Sequence, residues 1–312
     1  MNNMHQAAFY VEPLPGYLRL NGPDRESFLQ RQTTNDVRLL QAQKTLVTVL
    51  TSAVARILDV LLLLGQTGSI DLITLPGRGA ATAKFLRSRI FFNDQVELTD
   101  CSDQYAQILL MGSAIEKSLA SLGLEAPPRG EVHPGNLGGI PIQIMIQPFW
   151  SDPVYRMLLP KEALEPISDQ LQNGNFAQLS AEAYQAARIA AGLPGAAVEL
   201  SEAYTPLEIG LKAAISSTKG CYTGQEIIAR QITYDKVTRR MVGLKLDGPA
   251  EVGQAIWLDE KNIGEITSVA QSLALGWIGL AVIKRPFFED AVLVSVGESD
   301  TPTNAEIVPL PF

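Results

Sequence analysis

The segment Ile57–Leu64 most constrains the fold, because its residues 60–64 form an unbroken apolar run without alternation. A strand of this kind has both faces covered, so the sequence predicts a sheet with protein layers packed against each side. Asp59 interrupts the segment. A buried carboxylate is costly unless it is paired or hydrogen-bonded. We therefore expect Asp59 to lie at a solvated strand end or to have partners, Arg56 among them.

Length and charge narrow the class of protein. A chain of 312 residues suits two or three domains, and its 46% hydrophobic residues supply ample core. The net charge of −8 argues against general nucleic-acid binding, which needs a cationic surface. The sequence shows no signal peptide and no apolar run long enough to span a membrane, so we expect a cytoplasmic protein without membrane contact.

The metal-ligating residues are few. The cysteines are Cys101 and Cys221, and the histidines are His5 and His133. Neither pair makes a metal site of the usual ligand count, so no bound metal is expected. In a reducing compartment both cysteines stay free.

Residues up to about 190 alternate between strand and helix signals, which predicts an α+β fold with helices on antiparallel sheets. The predicted strands cover residues 17–20, 46–51, 57–64, 70–75, 96–99, 105–111, 140–146 and 154–159. A first predicted helix has Pro23 in its first turn and carries Phe28 and Leu29. Further predicted helices cover residues 80–89, 113–122, 162–171 and 181–189. We expect strand 96–99 to pair with strand 105–111. Residues 127–139 hold three prolines and four glycines and are predicted to form a loop containing His133.

The C-terminal part of the chain has a different pattern. Short strands recur from residue 239 onwards, separated by Gly, Asp and Asn, and predict a small β-barrel. Residues 301–312 are proline-rich and are expected to be loosely ordered.

The stretch Lys219–Glu226 combines several features that favour a reactive thiol. Thr223 and Glu226 have capping-box spacing, so we expect their side chains to bond each other's backbone amides at a helix start. Cys221 then lies just outside the positive end of that helix and two residues from Lys219, and both neighbours favour the thiolate. The alternative is a capped helix beside a small buried cysteine.

This stretch resembles the signature K-G-C-Y-x-G-Q-E of the YgfZ family. That family comprises folate-binding proteins linked to iron–sulfur cluster maintenance, built on the fold of the glycine-cleavage T-protein, an aminomethyltransferase. Cys221 stands where the T-protein tends to carry Asp. The signature residues beside Cys221 are Lys219, Gly220, Tyr222, Thr223, Gly224, Gln225 and Glu226.

The resemblance implies a fold, a cofactor and partners. It implies a folate-binding body of two interleaved α/β subdomains over residues 1–237 and a C-terminal β-barrel over residues 238–312. Tetrahydrofolate is the implied cofactor, with Cys221 and Lys219 as the catalytic pair. The implied partners are iron–sulfur proteins or their assembly factors. Any effect on tRNA modification is expected to be indirect, because the acidic chain offers no broad RNA surface.

The same resemblance suggests three folate contacts. Asp59 matches an aspartate of the T-protein, and Arg188 opens a family-like R-I-x-A-G-x-P junction. The x position often carries a glutamate that binds the pterin, but this chain has Ala190. Glu208 is a substitute acceptor, since donor N–H groups of a pterin need one. Asp59 and Glu208 also have purely structural interpretations, as a paired and a solvated carboxylate.

Two other functions stay open. The first is a true aminomethyltransferase that moves a one-carbon unit onto tetrahydrofolate, with Asp59 as its carboxylate. The second is a non-catalytic module whose barrel binds a protein partner.

Overall fold

The computed structural model describes residues 7–288, 291–297 and 302–312, and His5 lies outside them. The strands of the first part of the chain are β1 (Ala8–Val11), β2 (Gly16–Asn21), β3 (Thr45–Thr51), β4 (Ile57–Gly65), β5 (Ser69–Thr74), β6 (Glu97–Asp100), β7 (Tyr105–Met111), β8 (Val132–Leu137), β9 (Ile140–Ile146), β10 (Tyr155–Pro160) and β11 (Ala177–Gln178). The strands of the last part are β12 (Arg239–Leu246), β13 (Ala255–Leu258), β14 (Lys261–Ser272), β15 (Gly276–Lys284), β16 (Leu293–Val296) and β17 (Thr303–Val308). The helices are α1 (Arg25–Gln32), α2 (Gly79–Arg87), α3 (Ile115–Ser121), α4 (Leu164–Asn173), α5 (Ala181–Ala190) and α6 (Gln225–Thr233).

The first sheet has five strands in the order β3-β4-β5-β2-β6. Alternation along β4 sends Leu61 and Leu63 into a core with α1 and α2, whereas Leu62 and Leu64 join a core on the opposite face. Both faces of β4 are therefore covered, as its continuous apolar run predicts.

The second sheet has six strands in the order β11-β1-β7-β10-β9-β8. Along β10, Tyr155 and Met157 pack into a core with α3 and α4, whereas Leu158 points to the other face. Leu158 and Met145 share a core there with Leu62 of the first sheet. The two sheets therefore face each other, with their helices on the outside.

The last six strands form a closed barrel in the order β12-β15-β14-β13-β16-β17. Its interior is filled by aliphatic side chains such as Leu244, Ile266 and Ile283. The barrel packs on the body through Ile189 of α5, which contacts Ile278 and Leu280 of β15. The predicted α+β architecture with a C-terminal barrel is thus confirmed, whereas the exact boundary at residues 237 and 238 stays a prediction.

Three local predictions are wrong. Strand β6 pairs with β2 and not with β7, which lies in the other sheet between β1 and β10. The segment 127–139 contains β8, an edge strand in which Pro134 is tolerated because an edge strand need not use every backbone N–H. The tail contains β17, which closes the barrel by pairing with β12 and β16, although residue 301 lies outside the described residues.

Candidate functional site

The loop before α6 carries the signature, but it is not a capping box. Gly224 is the N-cap, with φ of +83° and no side-chain cap hydrogen bond. Glu226 is exposed and instead pairs with Arg230, one turn along, at 2.6 Å. The Thr223 amide donates to the Arg31 carbonyl at 3.3 Å. The capping-box prediction is therefore wrong, because a left-handed glycine, which needs no side chain, sets the start of the helix.

Gly224 is required for a second reason. A Cβ at this position would lie 2.7 Å from the Ser52 carbonyl oxygen and 2.9 Å from the Thr51 hydroxyl. The Thr51 hydroxyl also donates to the Thr223 carbonyl at 2.6 Å. The loop is therefore pressed against the end of β3. In contrast, a Cβ at Gly220 would meet no atom within 4 Å.

Lys219 is buried, and its ammonium is turned into the protein. Its Nζ donates to the carbonyl oxygens of Thr33 and Asn35, at 2.6 Å each. Burial lowers the pKa of Lys219 to about 8, an effect partly offset by the charge of Asp36. Nζ also lies 5.2 Å from the ring centroid of Tyr222, which is buried with Ala55 and Ile228.

Cys221 is an exposed free cysteine in the loop between the buried motif residues Lys219 and Tyr222, whereas Cys101 is buried. Within the described residues no hydrogen bond joins Cys221 Sγ to Lys219 Nζ, because that ammonium is directed to the two carbonyls. The interpretation as a small buried cysteine is wrong. Stabilisation of the thiolate by Lys219 and the helix start stays a prediction.

Asp59 is fully buried and is held by three donors. Its Oδ1 accepts from the amides of Val60 and Leu75 at 2.8 and 3.0 Å, and its Oδ2 accepts from the Thr82 hydroxyl at 2.5 Å. Burial outweighs these hydrogen bonds and raises the pKa of Asp59 to about 7. The suggested partner Arg56 is wrong, since Arg56 lies 3.6 Å from Glu208 instead.

Arg188 is buried at the end of α5 and connects three parts of the chain. Its Nε donates to Gln185 at 2.8 Å, one Nη to the Leu193 carbonyl at 2.5 Å, and the other to the Ser268 hydroxyl of β14 at 3.0 Å. The guanidinium thus joins α5 to the following loop and to the barrel. Its role in folate contact stays a prediction.

Glu208 is also buried, so its interpretation as a solvated carboxylate is wrong. Its two oxygens accept from Arg239 at 2.9 and 3.2 Å, and Oε2 also accepts from the Thr205 amide at 2.8 Å. Because Arg239 begins β12, this pair joins the body to the barrel. The carboxylate is engaged within the protein, and its suggested contact with folate stays a prediction.

A cavity of about 320 Å³, here named the inner cavity, lies between the two sheets. Its apolar wall includes Leu62 of β4 and Ile73 of β5. Its aromatic wall is a stacked pair, Tyr10 and Tyr184, with ring centroids 4.1 Å apart and planes 4° from parallel. Trp150 lies next to this pair, 6.4 Å from the Tyr184 ring. The size and lining are typical of a small-molecule site.

The polar wall of the inner cavity holds side chains that sequence reasoning missed. Glu12 and Arg156 form an ion pair with Oε2 and Nη2 3.1 Å apart. Arg156 also donates through Nε to Gln147 at 2.8 Å and through Nη1 to Gln107. A signal was available, since Arg156 is the one charged residue in the otherwise apolar strand Tyr155–Pro160.

A second, larger cavity of about 560 Å³, here named the junction cavity, lies between body and barrel. It shares Phe149, Leu193, Pro194 and Leu211 with the inner cavity. Among the residues predicted as folate contacts, Arg188 lines the inner cavity and Glu208 the junction cavity. Asp59, Lys219 and Cys221 line neither of these two cavities, so the predicted site residues do not form one cluster.

Comparison with known proteins identifies the architecture. Residues 14–219 match the GCVT N-terminal domain family, and residues 239–312 match the glycine cleavage T-protein C-terminal barrel domain. The chain belongs to the GCVT family. The glycine cleavage aminomethyltransferase T of Bartonella henselae shares its fold, with a TM-score of 0.87 over 98% of this chain and 86% of that one at 18% identity.

Two curated relatives illustrate the range of this GCVT family. A chloroplastic protein of Arabidopsis thaliana, provisionally named a transferase, is 32% identical over 91% of this chain, which spans 66% of that relative's length. An aminomethyltransferase of Listeria monocytogenes is 27% identical over 95% of this chain and 84% of its own. Because one relative is chloroplastic by name, the cytoplasmic location stays a prediction.

Two other kinds of feature are absent from the part of the chain that the structure describes. Among residues 7–288, 291–297 and 302–312, no three His, Cys, Asp or Glu side chains are grouped so as to hold a metal ion. His133 lies in β8 and contacts Glu131 through Nε2 at 3.1 Å. No helix in this part of the chain is both long and apolar enough to cross a membrane.

Proposed function

We propose that this protein binds tetrahydrofolate and serves as an accessory factor for the assembly or repair of iron–sulfur proteins, as a YgfZ-type member of the GCVT family. The observation that carries the proposal is the loop Lys219–Glu226, in which an exposed thiol stands between two buried motif residues. Lys219 and Tyr222 fix the loop from inside, and Gly224 presses it against β3. The thiol of Cys221 is left exposed at the surface.

The inner cavity supports the folate part of the proposal. A pteridine is flat, partly aromatic and rich in hydrogen-bonding groups, so it needs a cavity with an aromatic wall and a few polar groups. The stacked rings of Tyr10 and Tyr184 supply the aromatic wall, and Glu12 and Arg156 supply the polar groups. Relatives in this family that are named aminomethyltransferases agree with a one-carbon carrier as ligand.

The thiol acts at the surface. Cys221 is exposed and does not line either cavity, so a protein partner can reach it while folate occupies the interior. The buried ammonium of Lys219 holds the loop by donating to Thr33 and Asn35. Lys219 therefore acts as a positioning residue for Cys221 in this proposal.

The test is restoration of iron–sulfur enzyme activity in a host that lacks its own YgfZ-type protein. We expect the wild type and Cys101→Ala, the matched control with a buried cysteine, to restore activity. We expect Cys221→Ala to fail at equal protein levels. Restoration by Cys221→Ala would contradict the role of the thiol, and failure of the wild type would contradict the iron–sulfur role.

A second candidate is aminomethyl transfer, and Asp59 is the observation that favours it. Its carboxyl group, with a pKa raised to about 7, accepts hydrogen bonds from the backbone amides of Val60 and Leu75, two residues that line the inner cavity. A glycine-cleavage assay with the partner proteins separates the two candidates. Activity that is lost in Asp59→Asn and kept in Cys221→Ala would establish the transferase in place of the accessory role.

A further inference from the structure

The wall of the inner cavity contains a buried charged pair, Glu12 and Arg156. Glu12 and Arg156 are 7% and 5% exposed. Their positions follow from strand alternation, since Phe9 of β1 and Met157 of β10 point into the helix-side core. Tyr10, Glu12 and Arg156 take the alternate positions and therefore face the cavity.

This pair keeps hydrogen-bonding capacity that other buried carboxylates have lost. Arg156 uses three of its five N–H groups, on Glu12, Gln107 and Gln147, which leaves two. Glu12 accepts at Oε2, and among the described residues no hydrogen bond reaches its Oε1. By contrast, both oxygens of Glu199 are engaged, by Gly195 and Ser268.

The surroundings strengthen any hydrogen bond made here. Burial raises the pKa of the Tyr184 hydroxyl, and the charge of Glu12 adds to this effect. The pKa of Tyr10 is raised for the same two reasons. The polar wall therefore lies in a low-dielectric space, where a ligand group that pairs with a charge is bound strongly and one that leaves the charge unpaired is rejected.

Two other positions that could have supplied a carboxylate acceptor for a ligand do not supply one. Ala190 has no polar side chain, and the carboxylate of Glu208 is engaged by Arg239 and Thr205. Glu12 is the carboxylate that both lines the inner cavity and has an open oxygen in the described part of the chain. Glu12 is therefore placed to accept a hydrogen bond from a ligand in the inner cavity, which neither Ala190 nor Glu208 is.

We propose that Glu12 and Arg156 together read the hydrogen-bonding edge of the pteridine ring, an inference that rests on the proposed folate function. That edge presents an amino group, a ring N–H and a carbonyl oxygen. The carboxylate of Glu12 accepts from the two donors, since a carboxylate offers about four lone-pair sites and keeps Arg156 as well. Arg156 donates one of its remaining N–H groups to the carbonyl oxygen. The pair selects 2-amino-4-oxo rings.

The experiment compares folic acid with 2-desaminofolic acid, which lacks the exocyclic amino donor and keeps the rest of the molecule. Dissociation constants are measured by fluorescence titration or calorimetry. We expect the wild type to bind folic acid at least about tenfold more tightly, because the desamino ligand lacks one of the two donors that the buried Glu12 carboxylate accepts from. In Glu12→Gln we expect this ratio to fall below about threefold. Glu97→Gln, a control at an exposed position of β6, should keep the wild-type ratio.

The outcomes separate this inference from the function on which it rests. If the wild type binds neither ligand nor tetrahydrofolate, the folate function itself is contradicted. If it binds folic acid and the two ratios are equal in the wild type and Glu12→Gln, only the role of Glu12 is overturned. If Glu12→Gln fails to fold, Glu12→Asp replaces it in the experiment, because it keeps the carboxylate and moves it back by one methylene. Unchanged folic acid affinity in Glu12→Asp would overturn the inference, and a loss of about tenfold would support it.

Discussion

The ammonium of Lys219 donates a 2.6 Å hydrogen bond to the carbonyl oxygen of Asn35, across 184 positions of the chain. An identical bond reaches the Thr33 carbonyl. The sequence suggests Lys219 as the electrostatic neighbour of the Cys221 thiol. In the structure its ammonium instead links the signature loop to the segment after α1. Asn35 in turn donates to the carbonyl of Val47, which lines the inner cavity.

Removal of this tie is expected to destabilise the protein. Lys219→Met leaves two carbonyl oxygens without their donor, so we expect the free energy of unfolding to fall by about 1–3 kcal/mol. Urea unfolding measures it. Lys212→Met, at an exposed position of the same segment, should change it by less than about 0.5 kcal/mol. Equal stability of the two variants would contradict the structural role of Lys219.

The two cysteines are expected to differ sharply in reactivity. Cys221 is exposed, whereas Cys101 is buried and its thiol pKa is raised mainly by burial. A thiol-alkylating reagent should therefore modify the native protein at Cys221 alone, and both sites after unfolding. Peptide mass spectrometry locates the modification. If Cys101 in the native protein is labelled as fast as Cys221, then Cys101 is not buried and the prediction is contradicted.

The rate of alkylation gives the same experiment a further use. If the motif favours the thiolate, Cys221 should be alkylated faster at neutral pH than free cysteine, because the thiolate is the reactive form. A rate equal to or below that of free cysteine would remove the electrostatic argument for Cys221 and leave its exposed position as the remaining support.

Asp59 predicts a pH dependence of stability. Its folded pKa, raised to about 7, lies above its ordinary value of 3.8, so the folded state holds a proton that the unfolded state has lost between these values. This contribution is fully present below about pH 4 and is lost as the pH rises through 7, with an upper limit of about 4 kcal/mol. Asp59→Asn mimics the protonated carboxyl group and does not titrate, so its stability lacks this pH-dependent contribution. Urea unfolding of the wild type and Asp59→Asn from pH 4 to 8 measures their free energies of unfolding, and the difference between the two proteins should change with pH. A difference that stays constant over this range would refute the raised pKa of Asp59.

Glu208 predicts coupling between body and barrel. Glu208→Gln removes the charge that faces Arg239, so we expect a loss of about 2–3 kcal/mol and faster proteolysis between residues 235 and 239. Glu251→Gln, at an exposed position, is the control. If the two variants are cleaved at the same rate, the ion pair does not hold the barrel to the body.

The sequence allowed prediction of those parts of the fold that local pattern determines. The apolar run 60–64 identifies a strand, because a strand that is buried on both faces needs apolar side chains at successive positions. The pairing of strands could not be predicted in this way. The partner of β6 is β2, about eighty residues away, and no local pattern encodes a contact at that distance. The edge position that permits Pro134 within β8 is equally invisible before the sheet order is known.

The site was predictable only in part. The signature identifies Cys221 as a candidate reactive thiol and Lys219 as its basic neighbour, but it reveals neither that Cys221 is exposed nor that Lys219 points inward. The inner cavity depends on residues from both sheets and from α5, so its lining emerges only when these elements pack. Glu12 and Tyr184 lie 172 positions apart, and neither has a neighbouring motif.

Calorimetric titration of the reduced wild-type protein with tetrahydrofolate tests the central claim, that the inner cavity holds folate. We predict saturable binding with one site per chain, weakened about tenfold in Tyr184→Leu, because this change removes the aromatic wall. A folded wild-type protein that gives no binding heat and no change in thermal stability at millimolar ligand would contradict the claim.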